Sequence, residues 1–135
     1  MVLLGIDYGF ARTGVAVSDP MGILASPVGV LHEASRKKLA AALAQIARER
    51  QAGKLILGLP LRTDGAKGEK ALACEALAAL LRTHTGLPVE LWDERFTTVA
   101  AHQALSAVNV RGKRRKETVD AVAAVIILQS YLDRK

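Results

Sequence analysis

The sequence predicts an α/β fold in which one mixed five-stranded sheet is flanked by helices. Three observations predict it. The chain starts with three short apolar or β-branched segments joined by tight links, changes to helical periodicity at Ser35, and from there alternates helices with short apolar runs. The first part gives a three-strand meander, and the second gives two right-handed crossovers that add parallel strands.

Residues 2–8 (VLLGIDY) are apolar up to a carboxylate soon followed by Gly9, the pattern of a buried strand closing in a tight turn. Residues 13–18 (TGVAVS), β-branched and small, form a second strand that the Phe10-Ala11-Arg12 link returns beside the first. Residues 24–31 (LASPVGVL) form a third, which Pro27 assigns to a sheet edge because proline has no N–H to give an inner ladder. Leu39, Ala42, Leu43, Ile46 and Ala47 then recur at helical spacing, with Ser35 as N-cap and Gly53 just past the helix end. Residues 54–59 (KLILGL), stopped by Pro60, read as an interior parallel strand.

Leu72, Ala76 and Leu80, flanked by Ala73, Leu77 and Leu81, predict a second helix over 68–83. After Gly86-Leu87-Pro88 comes a strand over 89–93 (VELWD). A short helix through Ala101, Ala104, Leu105 and Val108 follows, capped near Thr97 or Thr98, and then a last helix over 119–132. Residues 111–116 (RGKRRK) are too charged to pack and read as a mobile loop. No repeat and no Pro-, Gly- or Ser-rich linker divides the chain, so residues 1–135 are expected to form one domain.

Half of the residues are hydrophobic and 24% are charged, which supports a buried core and excludes disorder for the bulk of the chain. Aromatic residues make up only 4%, which argues against a module of RRM or cold-shock type that reads bases on exposed rings. The single cysteine, Cys74, forms no internal disulfide and lacks zinc-site spacing, so a cytoplasmic chain is expected. The apolar start runs straight into Asp7, and the longest apolar run, 121–128, is too short to span a bilayer. Neither a signal peptide nor a membrane span is predicted. The net charge of +6 points to a polyanionic partner. Five of the 19 positive charges (Arg111, Lys113, Arg114, Arg115 and Lys116) fall just before Asp120, placed to neutralise nucleic-acid phosphates.

Four carboxylates stand at element ends: Asp7 after the first strand, Asp93 and Glu94 after the last, and Asp120 in the first turn of the last helix. Each has an ordinary structural reading as a turn cap, a solvated corner or an answer to the helix dipole. Asp7, however, lies between apolar strands, and Asp120 heads a helix that is apolar nearly all round, so both are drawn inward. There, desolvating an unmet charge costs several kcal/mol. Oxygen donors gathered without His or Cys select hard divalent ions, Mg²⁺ or Mn²⁺, over zinc. Two such ions about 4 Å apart can activate a water and stabilise the leaving oxygen of a phosphodiester, which needs no organic cofactor.

The blocks Asp7-Tyr8-Gly9 with Arg12-Thr13-Gly14-Val15-Ala16-Val17-Ser18-Asp19, Gly58-Leu59-Pro60 with Asp64-Gly65, Asp93-Glu94-Arg95-Phe96-Thr97-Thr98, and Asp120-Ala121-Val122-Ala123-Ala124 running into Ile127-Leu128-Gln129-Ser130-Tyr131-Leu132 occur in order along essentially the whole chain. The pattern resembles the YqgF, or RuvX, family of bacterial pre-16S rRNA nucleases, also described as Holliday-junction-resolvase-like. That resemblance implies an RNase H-like fold and a metal-dependent nuclease that matures the small-subunit ribosomal RNA precursor. It matches Asp7 to the strand-one aspartate, Glu94 to the acidic block after the last strand and Asp120 to the last-helix aspartate, as metal ligands and catalytic residues. In the related junction resolvases the fourth strand ends in a carboxylate, whereas here it ends Leu57-Gly58-Leu59-Pro60. The third ligand then comes from Asp93 or Glu94. Alternation does not choose between them in a strand buried on both faces, and Glu94 is favoured for its longer reach.

Other candidates read more plainly. Arg12 and Arg95 flank the acids, either as phosphate clamps or as their counter-charges. Asp64 is a turn residue before Gly65, Cys74 and Trp92 are core residues, and Thr97 and Thr98 are helix caps. His32, His84 and His102 are too scattered for a metal set, and nothing pairs with them for nucleophilic catalysis. Three functions compete. The leading one is an RNA nuclease acting on a ribosomal RNA precursor. The second is a resolvase of branched DNA, which needs a symmetric dimer. The third is a catalytically silent nucleic-acid-binding or transcription-associated factor. An actin-like kinase needs two such domains and is disfavoured by length. No membrane partner is expected, and the chain is read as a monomer or homodimer.

Overall fold

The computed structural model describes residues 1–62, 64–97 and 113–134, apart from the side chains of Phe96 and of residues 113–120. The elements are β1 (Val2–Asp7), β2 (Thr13–Ser18), β3 (Ala25–Leu31), α1 (Arg36–Glu49), β4 (Ala52–Leu59), α2 (Glu69–Thr85), β5 (Val89–Asp93), a 3-10 turn (Glu94–Phe96) and α3 (Lys113–Leu132). The strands form one five-stranded sheet in the order β3-β2-β1-β4-β5. β1 pairs antiparallel with β2, Asp7 opposite Gly14, and parallel with β4, Ile6 opposite Leu57. β4 and β5 are parallel, with Gly58 opposite Trp92 and Leu59 opposite Asp93. This is the predicted meander with two crossovers. Pro27 lies in an edge strand, opposite Ala16.

Strand alternation divides the core into two layers. Leu4, Ile6, Leu55 and Leu57 pack with α1 and α2, whereas Leu3 and Ile56 pack with Ala123, Ala124, Ile127 and Leu128 of α3. α3 lies close because β1 and β4 present glycine to it. A Cβ on Gly5 would lie 2.6 Å from Leu128 Cβ, and one on Gly58 would lie 2.6 Å from Ile127 Cδ1. The far end of α3 is fastened to the β2–β3 connection: Ala25 N donates to Gln129 Oε1 at 2.9 Å, and Gln129 Nε2 donates to Ile23 O at 2.9 Å. α3 therefore runs antiparallel to β1. Among the described residues no helix is long and apolar enough to cross a membrane.

Several expectations need correction. Residues 113–116 are not a loop, because α3 begins at Lys113 rather than near residue 119. Arg, Lys and Glu are good helix formers once an apolar helix is anchored on the sheet, and polarity alone does not melt its first turns. Arg111 lies outside the described residues, as do Thr98, His102 and the predicted helix through Ala101 and Val108. Ser35 caps α1, accepting from Lys38 N at 3.4 Å, but Gln51, not Gly53, takes the left-handed turn after it, at φ 56°. Gly53 lies in β4, where a Cβ would meet Met1 Cγ at 2.8 Å. In α2 the buried stripe is Ala73, Leu77 and Leu81 with Cys74 and Ala78, and Leu72 faces out. α2 also runs one turn's fraction further than predicted and ends at Gly86 in the left-handed region, φ 68°.

Candidate functional site

Asp7 ends β1, and it is buried. The turn that follows is tight: a Cβ on Gly9 would fall 2.3 Å from Arg12 O, and Thr13 Oγ1 donates to Gly9 O at 3.4 Å. Only glycine lets the chain double back there, so the Asp-Tyr-Gly sequence is what holds Asp7 at the sheet edge. A cleft of about 290 Å³ opens at this point, lined by Asp7, Gly9, Phe10, Arg12 and Lys70 among others.

Across the sheet, the Asp93/Glu94 pair separates into two roles. β5 is an edge strand, half-buried after Val89, and its residues alternate between the two covered faces of the sheet. Val89 and Leu91 pack on the α1/α2 side, and Trp92 on the α3 side. Asp93 caps the 3-10 turn, accepting from Arg95 N at 2.9 Å, and forms an ion pair with the Arg95 guanidinium at 2.7 Å. Those hydrogen bonds hold its carboxyl below the ordinary carboxylate range. Glu94 turns inward instead. A Cβ on Gly58 would lie 3.3 Å from Glu94 Cγ, so this side chain covers the end of the strand that lacks an acid of its own. Burial raises the Glu94 carboxyl above its ordinary range; Lys70 opposes that shift and the Asp93 charge adds to it.

Cys74 of α2 is buried in the core layer beneath β1 and β4. Burial pushes its thiol up to about 12, reinforced by the Glu94 charge; Lys70 opposes, and the Asp7 and Glu75 charges add to it. Lys70, which composition did not single out, lines the Asp7 cleft with Arg12 and opposes the rise of the Glu94 pKa. Its signal in the sequence was positional, the first turn of the helix after the second parallel strand.

Asp120 lies in α3 by its backbone, with its side chain outside those described. It stands one turn, about 6 Å, before Ala124. Ala124 O is 3.2 Å from where a Gly5 Cβ would be, and Asp7 is two residues, about 6.6 Å, along β1 from Gly5. Because α3 runs antiparallel to β1, the helix brings position 120 level with position 7. Among the described residues no three acids, histidines or cysteines gather closely enough to hold a metal.

The remaining candidates sort by partner. Arg95 is engaged by Asp93, the counter-charge reading of the two. Arg12 lines the Asp7 cleft. The side chains of Lys113, Arg114, Arg115 and Lys116 lie outside those described. Asp64 closes a turn, accepting from Ala66 N at 2.9 Å, and pairs with Arg62. Cys74 is buried core. Trp92 packs edge-on to Tyr131 and donates to Ser130 Oγ at 3.1 Å. Thr97 closes the 3-10 turn onto Glu94 O at 2.7 Å.

Solved structures show the same fold. RuvC of Thermus thermophilus, in complex with a Holliday junction substrate, is 14% identical with a TM-score of 0.62, covering 97% of this chain and 94% of that one. Fowlpox virus resolvase with Holliday junction DNA is 11% identical with a TM-score of 0.54, covering 99% of this chain and all of that one. The architecture is the RNase H-like one that the sequence resemblance implied. Proteins bearing the name "Putative pre-16S rRNA nuclease" are similar throughout. That of Lachnospira eligens is 42% identical over 138 aligned positions, 100% of this chain and 99% of its own. That of Myxococcus xanthus is 44% identical over 133, 98% of this chain and 88% of its own. The family model described as RuvX, Holliday junction resolvase, matches residues 1–134, and the chain belongs to that family.

Proposed function

We propose that this chain is a cytoplasmic, single-domain nuclease that hydrolyses phosphodiester bonds in a precursor of 16S ribosomal RNA, with Asp7, Glu94 and Asp120 as its catalytic acids. The observation that carries this reading is Glu94 folded over Gly58 on the sheet edge where Asp7 ends β1, with α3 bringing position 120 level with them. The names of the full-length relatives supply the substrate.

The donor set fits a hard divalent ion. Its atoms are carboxylate oxygens, and the one thiol nearby, Cys74, is held protonated by its burial. Asp7, Glu94 and Asp120 would hold Mg²⁺ or Mn²⁺, with Asp93 set aside by its ion pair to Arg95. Bound there, divalent ions supply an activated water and charge stabilisation for the leaving oxygen. The protein's own residues do the rest. Gly9 keeps Asp7 at the edge. Lys70 and Arg12 line the same cleft and meet the phosphate's charge. The basic turns of α3, from Lys113 to Lys116, with Arg111 before them, attract flanking phosphates, and Arg95 adds positive charge beside them.

A second reading, resolution of branched DNA, is favoured by the family description and needs two sites in a homodimer. Incubating the protein and Mn²⁺ with equal amounts of labelled precursor RNA and a labelled four-way DNA junction, with gel filtration alongside, separates the two. The proposed function predicts faster cleavage of the RNA by a species that need not be dimeric. Preferential, symmetric cutting of the junction by a dimer overturns it.

A further inference from the structure

The Asp7 cleft does not stand alone. Tyr8 and Phe10 also line a second cleft of about 420 Å³, whose walls include Arg36, Glu69 and Leu72. The volume is that of a small-molecule site. Two large apolar side chains in its walls are open to solvent: Phe10 is 55% exposed and Leu72 is 56% exposed. The Phe10 ring is nonetheless braced. It meets the buried Tyr8 ring at 5.9 Å and 85°, and in such an edge-to-face contact at least one face of Phe10 remains uncovered by Tyr8.

The charges say what such a ring could receive. The Asp7 cleft carries Arg12 and Lys70, cations suited to phosphate. The Phe10 cleft carries one cation and one carboxylate, Arg36 and Glu69. Glu69 would repel a phosphate but can accept from the amino group of a base. A flat, polar-edged, uncharged group attached to a phosphate is a nucleobase, and only an unpaired one has a face to offer.

We infer that Phe10 stacks an unpaired base next to the phosphate held in the Asp7 cleft, so that the protein selects single-stranded substrate at its cutting site. The inference rests on the nuclease reading above and adds the strandedness of the substrate and the residue that senses it. Lone rings of this kind act without sequence preference, because every base has a face to stack.

The test is the affinity of the full chain, in EDTA and at fixed salt, for a short unstructured RNA and for a blunt duplex of the same sequence. Phe10→Ala should weaken single-strand binding about ten-fold and leave duplex binding unchanged. Phe10→Trp should restore it, with tryptophan emission quenched by the RNA beyond any change seen in the parent, whose Trp92 lies on the α3 side of the sheet. If Phe10→Leu binds as the parent does, or Phe10→Ala loses both ligands equally, the ring makes only a general contact and the inference fails while the nuclease reading stands. If the parent binds neither RNA, the nuclease reading fails and takes the inference with it.

Discussion

Gly58 makes room for Glu94: a methyl group on Gly58 would sit 3.3 Å from Glu94 Cγ and 3.4 Å from its Cδ, and 2.6 Å from Ile127 Cδ1. One missing side chain thus seats both the inward acid and the helix that carries Asp120. Gly58→Ala should therefore cost about 1–3 kcal/mol by overpacking and shift both at once. Thermal unfolding checks the first part. The second is checked by the rise in Tm on adding Mn²⁺, which should shrink in the variant.

Glu94 and Asp93, adjacent in sequence, should behave oppositely. An acid whose folded pKa is raised costs stability where it is ionised, so in EDTA at pH 7 Glu94→Gln should be at least as stable as the parent, and the advantage should vanish as the pH falls below the ordinary value of 4.5. Asp93 has a lowered pKa, so its stabilisation is present above 3.8 and lost as acid protonates it. Asp93→Asn should be less stable than the parent at pH 7 yet keep its response to Mn²⁺. Urea titrations across pH 3–7 measure both; a parent-like Asp93→Asn with no metal response would reverse the assignment.

The edge where α3 meets β5 carries its own pH signature. Lys54 Nζ donates to Glu90 at 2.8 Å and to Tyr131 at 2.7 Å, and these bonds raise its pKa above the ordinary 10.5. That stabilisation is complete below 10.5 and lost as the pH rises through the raised value. Between pH 7 and 10 Glu90→Gln should lower Tm by a few degrees, about 1 kcal/mol, and the gap should narrow above pH 10.5. A gap that stays constant with pH would contradict the role given to Lys54.

Replacing Arg114 and Arg115 by Ala should weaken RNA binding and reduce its salt dependence by up to about two units of slope. Their helical backbone adds a control: circular dichroism should be unchanged, since Ala is the better helix former. An unaltered salt slope would remove these residues from the interface.

The fold was legible because its signals are local and redundant. Pro27 marked an edge, Ser35 a cap, and the apolar runs of β1 and β4 an interior. The two sides of α2 were harder, since Leu and Ala occur on both and only tertiary packing decides that Leu72 faces out. The basic stretch read as a loop because charge was weighed without the anchorage that α3 gains on Gly5 and Gly58. At the proposed site, the burial of Asp7 was legible from its apolar setting. Glu94 is favoured in the sequence for its reach; the ion pair of Asp93 with Arg95 depends on the 3-10 turn and shows only in the structure. Lys70 had only a positional signal, at the start of α2, and Phe10 had none, because what matters about both is which cleft they line.

The central claim is that the acids at this sheet edge hold the metal that cuts RNA. It is tested most directly by single-turnover cleavage of a labelled 16S precursor RNA with Mn²⁺, comparing the parent with Asp7→Asn, whose fold is verified by its Tm in EDTA. The account predicts metal-dependent cleavage by the parent and a loss of at least a hundred-fold, about 2.7 kcal/mol of barrier, in the folded variant. Equal cleavage by both proteins, or cleavage by the parent that EDTA does not stop, would contradict it.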